Sequence, residues 1–366
     1  MDIILGLGFG DEGKGLVTSH ICSRRKNPLV IRFNGGHQAG HTVVHDQKRH
    51  VFSSFGSGTL QNIPTYWSKY CTFYPTAFLN ERAILEAKEI IPQIFVHPLS
   101  PVVTPYDVLA NQIYAEISGH GSVGVGFGTT IKRHETLKIH AQDLRYYTII
   151  KAKLKNVLDY YCTTFKYDPQ LKKLIDIDLT NFLDDCNDAL NYIDIEDDSL
   201  LIQDWDLVFE GAQGILLDQN FGFFPNVTPS NTTTQNALAI LNNVHEGAVN
   251  VHYVTRSYQT RHGAGFMTNE SPLILANNEN ETNIFHKYQG KFRTGKLDPT
   301  LIQYAIECDK NFHTADIKKH LIVTCMDQHE IDLDRDLLKH LNIEFDSIKI
   351  SKGDSAKNIE VIKKFC

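Results

Sequence analysis

No two cysteines in this chain are spaced as CxxC. The seven (Cys22, Cys71, Cys162, Cys186, Cys308, Cys325, Cys366) are scattered and odd in number. That pattern argues against a zinc site or a disulfide framework and fits reduced thiols in a cytoplasmic protein. No apolar run approaches the roughly 18–20 residues that cross a bilayer, so no membrane association is expected. The N-terminus lacks a basic start followed by a cleavable apolar segment, so no signal peptide is expected. A basic excess is missing too. The net charge is −7, the wrong sign for a dedicated DNA or RNA binder, although local clusters can still hold a small anion. Repeats and low-complexity linkers are also lacking. What is there is 366 residues with 42% hydrophobic content, enough for a sizeable core.

Residues 2–8 (Asp-Ile-Ile-Leu-Gly-Leu-Gly) read as a buried strand, followed by a glycine-rich turn, a helix over 14–25 and a second apolar run over 29–33. Strand, glycine turn, helix, strand opens an α/β fold with parallel strands. Further buried strands are expected at 206–209, 249–255, 321–326 and 348–350. The stretch 143–204 differs, with helical spacing at Leu154, Val157, Leu158 and Tyr161, then at Leu179, Phe182, Leu183, Cys186 and Leu190. Its acidic patches, Asp184-Asp185 and Glu196-Asp197-Asp198, read as a solvated face. The expectation is one α/β domain over 1–366: a mainly parallel central sheet, surrounding helices, a phosphate-loop-like nucleotide site and a helical elaboration.

Gly8-Phe-Gly-Asp-Glu-Gly-Lys-Gly15 is the sharpest local signal. Gly8, Gly13 and Lys14 keep the GxxxxGK spacing, in which glycines turn the backbone so that N–H groups face phosphate oxygens. The following helix adds its positive end. Gly10, Glu12 and Gly15 complete the loop. Lys14 supplies charge for a triphosphate. Gly15 stands where such loops carry Ser or Thr for Mg²⁺, leaving Asp11 as the candidate metal ligand. A ligand-free glycine turn is the bland alternative, disfavoured by four glycines and a lysine at the helix start. A second loop, Asn34-Gly-Gly-His-Gln-Ala-Gly-His-Thr42, carries His37 and His41 four apart. Its glycines argue against a helix, so the pair is not read as a helical metal site.

Together these segments resemble the adenylosuccinate synthetase family, whose motifs are GDEGKG and GGHNAGHT, with Gln38 here in place of Asn. Phe209-Glu-Gly-Ala-Gln-Gly-Ile-Leu-Leu-Asp218 is similar to FEGAQGxLLD, Phe224-Pro-Asn-Val-Thr-Pro-Ser-Asn-Thr-Thr233 to YPYVTSSNTT, and Thr260-Arg-His-Gly-Ala-Gly265 to TRVGAG. The resemblance implies a ligase that phosphorylates O6 of a purine nucleotide and lets the amine of L-aspartate displace the phosphate. It implies Asp11 as base and Mg²⁺ ligand, the Gly40 carbonyl as second ligand, Lys14 on the phosphoryl group and His41 as general acid. Gln213 would sit by C6 and Thr228 on the 5′-phosphate; on spacing alone a turn residue and a helix N-cap serve as well. A homodimer is implied too, with an arginine, here Arg133, reaching the neighbour's site.

Several segments depart from the family. Ser122-Val-Gly-Val-Gly-Phe-Gly-Thr129 stands for TTGRGIGP without its hydroxyl pair and arginine, so Ser122, Lys132 or Arg133 would serve the acceptor nucleotide, with Gln38 and His262. Tyr288-Gln-Gly-Lys-Phe-Arg-Thr-Gly-Lys-Leu-Asp298 stands for TGRRRRTGWLD and keeps only Lys291 and Arg293 as cations for aspartate. Lysine cannot reproduce a bidentate guanidinium fork. Thr324-Cys-Met-Asp327 stands for TKLD; with Ser351 and Gly353 it forms the donor-base site, and the lost lysine weakens GTP and admits ATP. The short chain resembles archaeal and phage members. Gln38 and the altered loops lean towards the phage branch that takes dGMP to make a 2-aminoadenine precursor. Retention of Asp11 leans towards IMP. A non-catalytic nucleotide sensor and a phosphate-loop kinase or GTPase are the competing classes.

Overall fold

The run Asp2–Gly6 is buried along its whole length and becomes β1, the fifth strand of a ten-stranded sheet in the computed structural model. The structure describes residues 1–118, 122–242, 247–276, 290–313 and 317–364. From one edge the strands run Ile359–Lys364, Ser347–Ser351, Ile317–Thr324, Val249–Arg256, β1, Asp206–Gly214, β2 (Pro28–Arg32), Thr65–Trp67, Ile94–Val96 and Asp194–Ile195. Neighbours are parallel except at the first edge, where Ile359–Lys364 runs antiparallel. The expected mainly parallel sheet is the observed one. Burial on both faces explains why its strands read as near-continuous apolar runs.

Side chains alternate across β1. Ile3 and Leu5 join a core with Phe209, Val251, Tyr253 and Leu321. Ile4 packs on the other face with Val208, Val254 and Ile322 against Leu16, Val17 and Ile21 of α1 (Lys14–Cys22). Each such side chain contributes roughly 1.5–3 kcal/mol when fully buried. All nine residues of α1 are buried, so it lies under other chain on every side. The strand expected to run to 326 stops at Thr324 because Cys325 adopts φ 58°, which no strand continues.

The stretch 143–204 is helical as its spacing implies, with helices Tyr147–Thr164, Leu171–Ile175 and Thr180–Ala189. Leu154, Val157, Tyr161, Phe182 and Cys186 share one core with Phe55, Phe73, Phe78 and Ile113. Asp184, Glu196 and Asp197 are solvated. Asp185 accepts from Thr76, and Asp198 accepts from Tyr66 (2.8 Å) and Lys69 (3.0 Å).

Arg133 requires a correction. It lies on helix Phe127–His134 with 0% exposure. Its guanidinium donates to Asp107 from Nε (3.0 Å) and Nη2 (2.9 Å), to the Leu137 carbonyl (2.7 Å) and to the Val102 carbonyl (2.8 Å). Tyr161 adds a hydrogen bond to Asp107 at 2.7 Å. A guanidinium enclosed and occupied in this way reaches neither a nucleotide nor a neighbouring subunit. Breaking a buried pair strands a charge at a cost of about 3–5 kcal/mol. Arg133→Ala is therefore expected to lower unfolding stability by about that amount in urea, with no nucleotide present. A nucleotide-contacting arginine would leave the ligand-free stability near wild type.

Candidate active site

The carboxyl end of β1 feeds the loop over 7–13, between the ends of Asp206–Gly214 and Val249–Arg256, where open α/β sheets place ligands. Gly13 takes φ 91° and lets the chain turn into α1. Lys14, the first residue of that helix, is buried. The expected outward-facing N–H groups are in part turned inward. Gly8 N–H (3.0 Å) and Gly10 N–H (2.7 Å) donate to Glu12 Oε1, and Lys14 Nζ donates to Glu12 Oε2 at 2.6 Å. Gly15 has its own reason to lack a side chain. A Cβ there would lie 2.9 Å from His41 Cβ and 2.9 Å from Ser57 Oγ, so the serine or threonine of other phosphate loops has no room.

Asp11, at φ 63°, projects from the loop instead. Its carboxylate lies 3.3 Å from His262 Nε2, and Arg256 Nε donates to its backbone carbonyl at 2.5 Å. Burial pushes the Asp11 carboxyl up, but His262, Arg256 and Lys14 outweigh it and hold the group below its ordinary value. Asp11 is a carboxylate at neutral pH.

His41 opens the strand His41–His45 of a hairpin with Lys48–Phe52. Gly35–Gly36, in the same loop, forms a short parallel pair with Cys71–Thr72. The loop is thus built from extended segments, and the absence of a helix there is as expected. His41 Nδ1 lies 2.7 Å from Glu210 Oε1. Ser57 donates to Glu210 through its N–H at 3.0 Å and through its hydroxyl. Glu210 is fully buried, opposite Arg32 in the strand register. Burial raises its pKa, yet His41, Arg32 and Ser57 bring it down to about 2. An ionised Glu210 can only accept, so His41 Nδ1 carries the proton and Nε2 faces away from it. Burial, against the pull of Glu210, lowers the His41 pKa and keeps the ring neutral at rest.

Around Gly35 and Gly36 gather polar atoms that are buried and have no partner among the described residues: both amide atoms of Gln38, Thr72 Oγ1 and Gln213 Oε1. A Cβ on Gly36 would strike Thr72 Oγ1 and lie 3.0 Å from Gln38 Oε1; one on Gly35 would lie 3.2 Å from Gln38 Nε2 and 3.9 Å from Gln213 Oε1. Each unpaired buried polar group costs about 1–3 kcal/mol, which a ligand or water can recover. Thr228 is buried in a loop, seven residues before helix Gln235–Leu241, and is not its N-cap. Ser230 ties that loop to Gly35 by accepting its N–H at 3.2 Å. Ser122 is occupied locally, donating to Asn111 at 3.0 Å and accepting Gly124 N–H at 3.1 Å.

Residues 3–331 match the family model described as Adenylosuccinate synthetase. The chain belongs to the adenylosuccinate synthetase family. The enzyme of Buchnera aphidicola subsp. Schizaphis graminum is 32% identical over 326 residues, covering 83% of this chain and 74% of its own. That of Picrophilus torridus is 30% identical over 318 residues, covering 83% and 73%. In fold, the chain is similar to fully ligated adenylosuccinate synthetase from Plasmodium falciparum (TM-score 0.74, 18% identity, 99% of each chain). It is also similar to cyanophage S-2L succinoaminodeoxyadenylate synthetase, PurZ, bound to dGMP and dATP as an energy donor (TM-score 0.67, 13% identity, 98% and 94%). The protein is a carbon–nitrogen ligase of adenylosuccinate synthetase type, joining aspartate to a purine nucleotide.

In this synthetase of the family, Arg293 on the expected amino-acid side already has partners within the chain. It pairs with Glu270 (Nε to Oε1, 2.8 Å) and donates to the carbonyls of Gly263 (2.8 Å) and Gly265 (2.9 Å). It braces the turn after strand Tyr258–His262, whereas Lys291 is exposed. Tyr288 and Gln289 lie outside the described residues. On the donor side, Ser351 Oγ donates to the Gly353 carbonyl at 2.8 Å, the Ser351 carbonyl accepts Met326 N–H at 3.0 Å, and Gln328 donates to Asp327 at 3.0 Å. Gly40 is exposed. Sequence reasoning passed over Glu210, Ser57, Arg32, Arg256 and Thr72. Glu210, Arg32 and Arg256 carried a usable signal: a charge within or closing a buried parallel strand belongs to the sheet's ligand edge.

Glu210 holds His41, so Glu210→Gln should lower turnover about ten- to a hundredfold, short of the about 10²–10⁴-fold expected for His41→Ala. The same variant should blunt acid unfolding. A folded carboxyl at about 2, below its ordinary 4.5, contributes fully above pH 4.5 and loses that contribution as pH falls to about 2. Stability against pH, compared with wild type, checks it.

Proposed function

We propose that this synthetase transfers the γ-phosphoryl group of a nucleoside triphosphate to O6 of a 6-oxopurine nucleotide, and that L-aspartate then displaces phosphate from C6. The supporting observation is the pairing of an ionised Asp11 with a His41 fixed by Glu210, on two loops that meet at the ligand edge of one sheet. Asp11 takes the N1 proton, which makes O6 a nucleophile. O6 bonds to the γ-phosphorus as the bond to the leaving diphosphate breaks. The aspartate amine then bonds to C6, phosphate leaves, and the amine gives up a proton. His41 is neutral at rest; the negative charge of the phosphoryl group beside it favours protonation of Nε2, the form that can donate.

The residues fit Mg²⁺ held largely by phosphate oxygens. Among the described residues no three His, Cys, Asp or Glu side chains cluster as ligands. Asp11, one of whose carboxylate oxygens faces His262, can offer the other, and Gly40 a carbonyl; Mg²⁺ takes one or two protein oxygens with the rest from phosphate and water. When bound, it supplies charge neutralisation for the transferring group.

As acceptor we propose dGMP. Gln38, Thr72 and Gln213 bring acceptor oxygens to one buried turn, and a 2-amino group supplies donors that IMP lacks. The fold likeness fits either acceptor, since PurZ is bound to dGMP and the Plasmodium falciparum enzyme is an adenylosuccinate synthetase. The second reading is IMP, favoured by retained Asp11. ATP fits the donor role better than GTP, because the lysine of TKLD is replaced by Cys325 and Gln328 already donates to one oxygen of Asp327. A homodimer belongs to the proposal, without Arg133 as its bridge.

Purified protein with Mg²⁺ and aspartate, offered dGMP or IMP with ATP or GTP, should yield a succino adduct of dGMP by mass spectrometry. An adduct from IMP alone would replace the dGMP reading with the ordinary one. Product with no adduct but a nucleoside diphosphate would mean a kinase, and binding without product a sensor. Asp11→Ala should remove about 10²–10⁴-fold of turnover while nucleotide binding, measured by calorimetry, largely persists.

A further inference from the structure

We propose that Glu12 is a positioning residue that acts as an internal anion, competing with the donor's phosphates for Lys14. The proposal rests on the nucleotide site just described. Three donors that a phosphate loop would direct at its ligand, the Gly8 and Gly10 N–H groups and Lys14 Nζ, converge on this one carboxylate at 3.0, 2.7 and 2.6 Å. Glu12 is only 3% exposed, enclosed between the ends of two parallel strands. Room for it comes from Gly6 and Gly214. A Cβ on Gly214 would lie 2.6 Å from Glu12 Oε1, and one on Gly6 would strike Oε2 and lie 2.9 Å from Lys14 Nζ. Thr324 Oγ1 pins the Glu12 carbonyl at 2.8 Å, so the residue is anchored at both ends. Its charge sits just ahead of α1, where the helix end favours an anion.

The resting loop is thus folded around its own carboxylate. A triphosphate must draw Lys14 away from Glu12 while the Gly8 and Gly10 contacts keep the loop in shape. Glu12 then does two opposed things: it orders the loop, and it weakens donor binding. Glu12→Gln separates them, because the amide oxygen can still accept from Gly8 and Gly10 while the competing charge is gone. A side chain with a purely structural role would leave anion affinity unchanged or weaker.

The test is calorimetric binding of inorganic tripolyphosphate, and separately of Mg-ATP and Mg-GTP, to wild type, Glu12→Gln and Glu12→Asp. Thermal melts check that each variant is folded. Glu12→Gln should bind tripolyphosphate and the donor about three- to tenfold more tightly, and Glu12→Asp, which keeps the charge, should not. Glu12→Gln binding tripolyphosphate no more tightly than wild type, or Glu12→Asp gaining as much, overturns the proposal. Wild type that binds tripolyphosphate but neither nucleotide would overturn the donor reading and leave the Glu12 comparison intact.

Discussion

One buried carboxylate organises this site. Glu210 lies at the centre of a parallel sheet, fully removed from water, where an unpaired charge would cost several kcal/mol. Its partners are therefore structural requirements. Arg32 stands in register beside it, Ser57 brings two donors, and His41 brings one. Those contacts fix the His41 loop against α1, and that contact in turn leaves Gly15 no side chain. A phosphate loop with serine there could not coexist with a histidine held this way. The missing hydroxyl and the presence of His41 are two sides of one packing constraint.

The same constraint separates this loop from an ordinary phosphate-binding turn. Loops of that kind leave their amides open and wait for phosphate. Here Glu12 fills part of that role from within, and Asp11 is pushed outward at a left-handed backbone angle towards His262. Two adjacent acidic residues are driven to opposite sides of one turn, one buried as structure and the other presented as chemistry.

Much of the fold was legible in the sequence. The buried strands announced themselves as apolar runs, because parallel strands covered on both faces need no alternation. The helices over 143–204 were visible at 3.6-residue spacing. Strand ends were less so: Cys325 ends its strand through a backbone angle that no composition reveals. In the candidate site, Asp11, Lys14 and His41 stood out because glycine patterns mark turns. Glu210, Ser57 and Arg256 were missed because their roles arise from register and crossover, which bring together residues 169 and 245 positions apart. Arg133 misled for the converse reason. A sequence shows that a guanidinium exists but not that Asp107 has already claimed it.

What is satisfied and what is not divides the site into two halves. In the glycine loop, the Gly8 and Gly10 N–H groups and the Lys14 ammonium are matched by Glu12, so an incoming anion has to compete for them. Around Gly35 and Gly36, both amide atoms of Gln38, Thr72 Oγ1 and Gln213 Oε1 are buried without partners among the described residues, so an incoming polar group meets no competitor there. A site hydrogen-bonded to a particular N–H rejects a ligand that lacks it far more strongly than an apolar pocket rejects a missing methyl. On the proposed reading, discrimination between purine acceptors belongs to the second half, and control of the phosphoryl donor to the first. Gly35, three residues before Gln38 and hydrogen-bonded to Ser230, sits in the loop that leads to His41. On that reading, filling the acceptor pocket bears on the same short segment that carries His41.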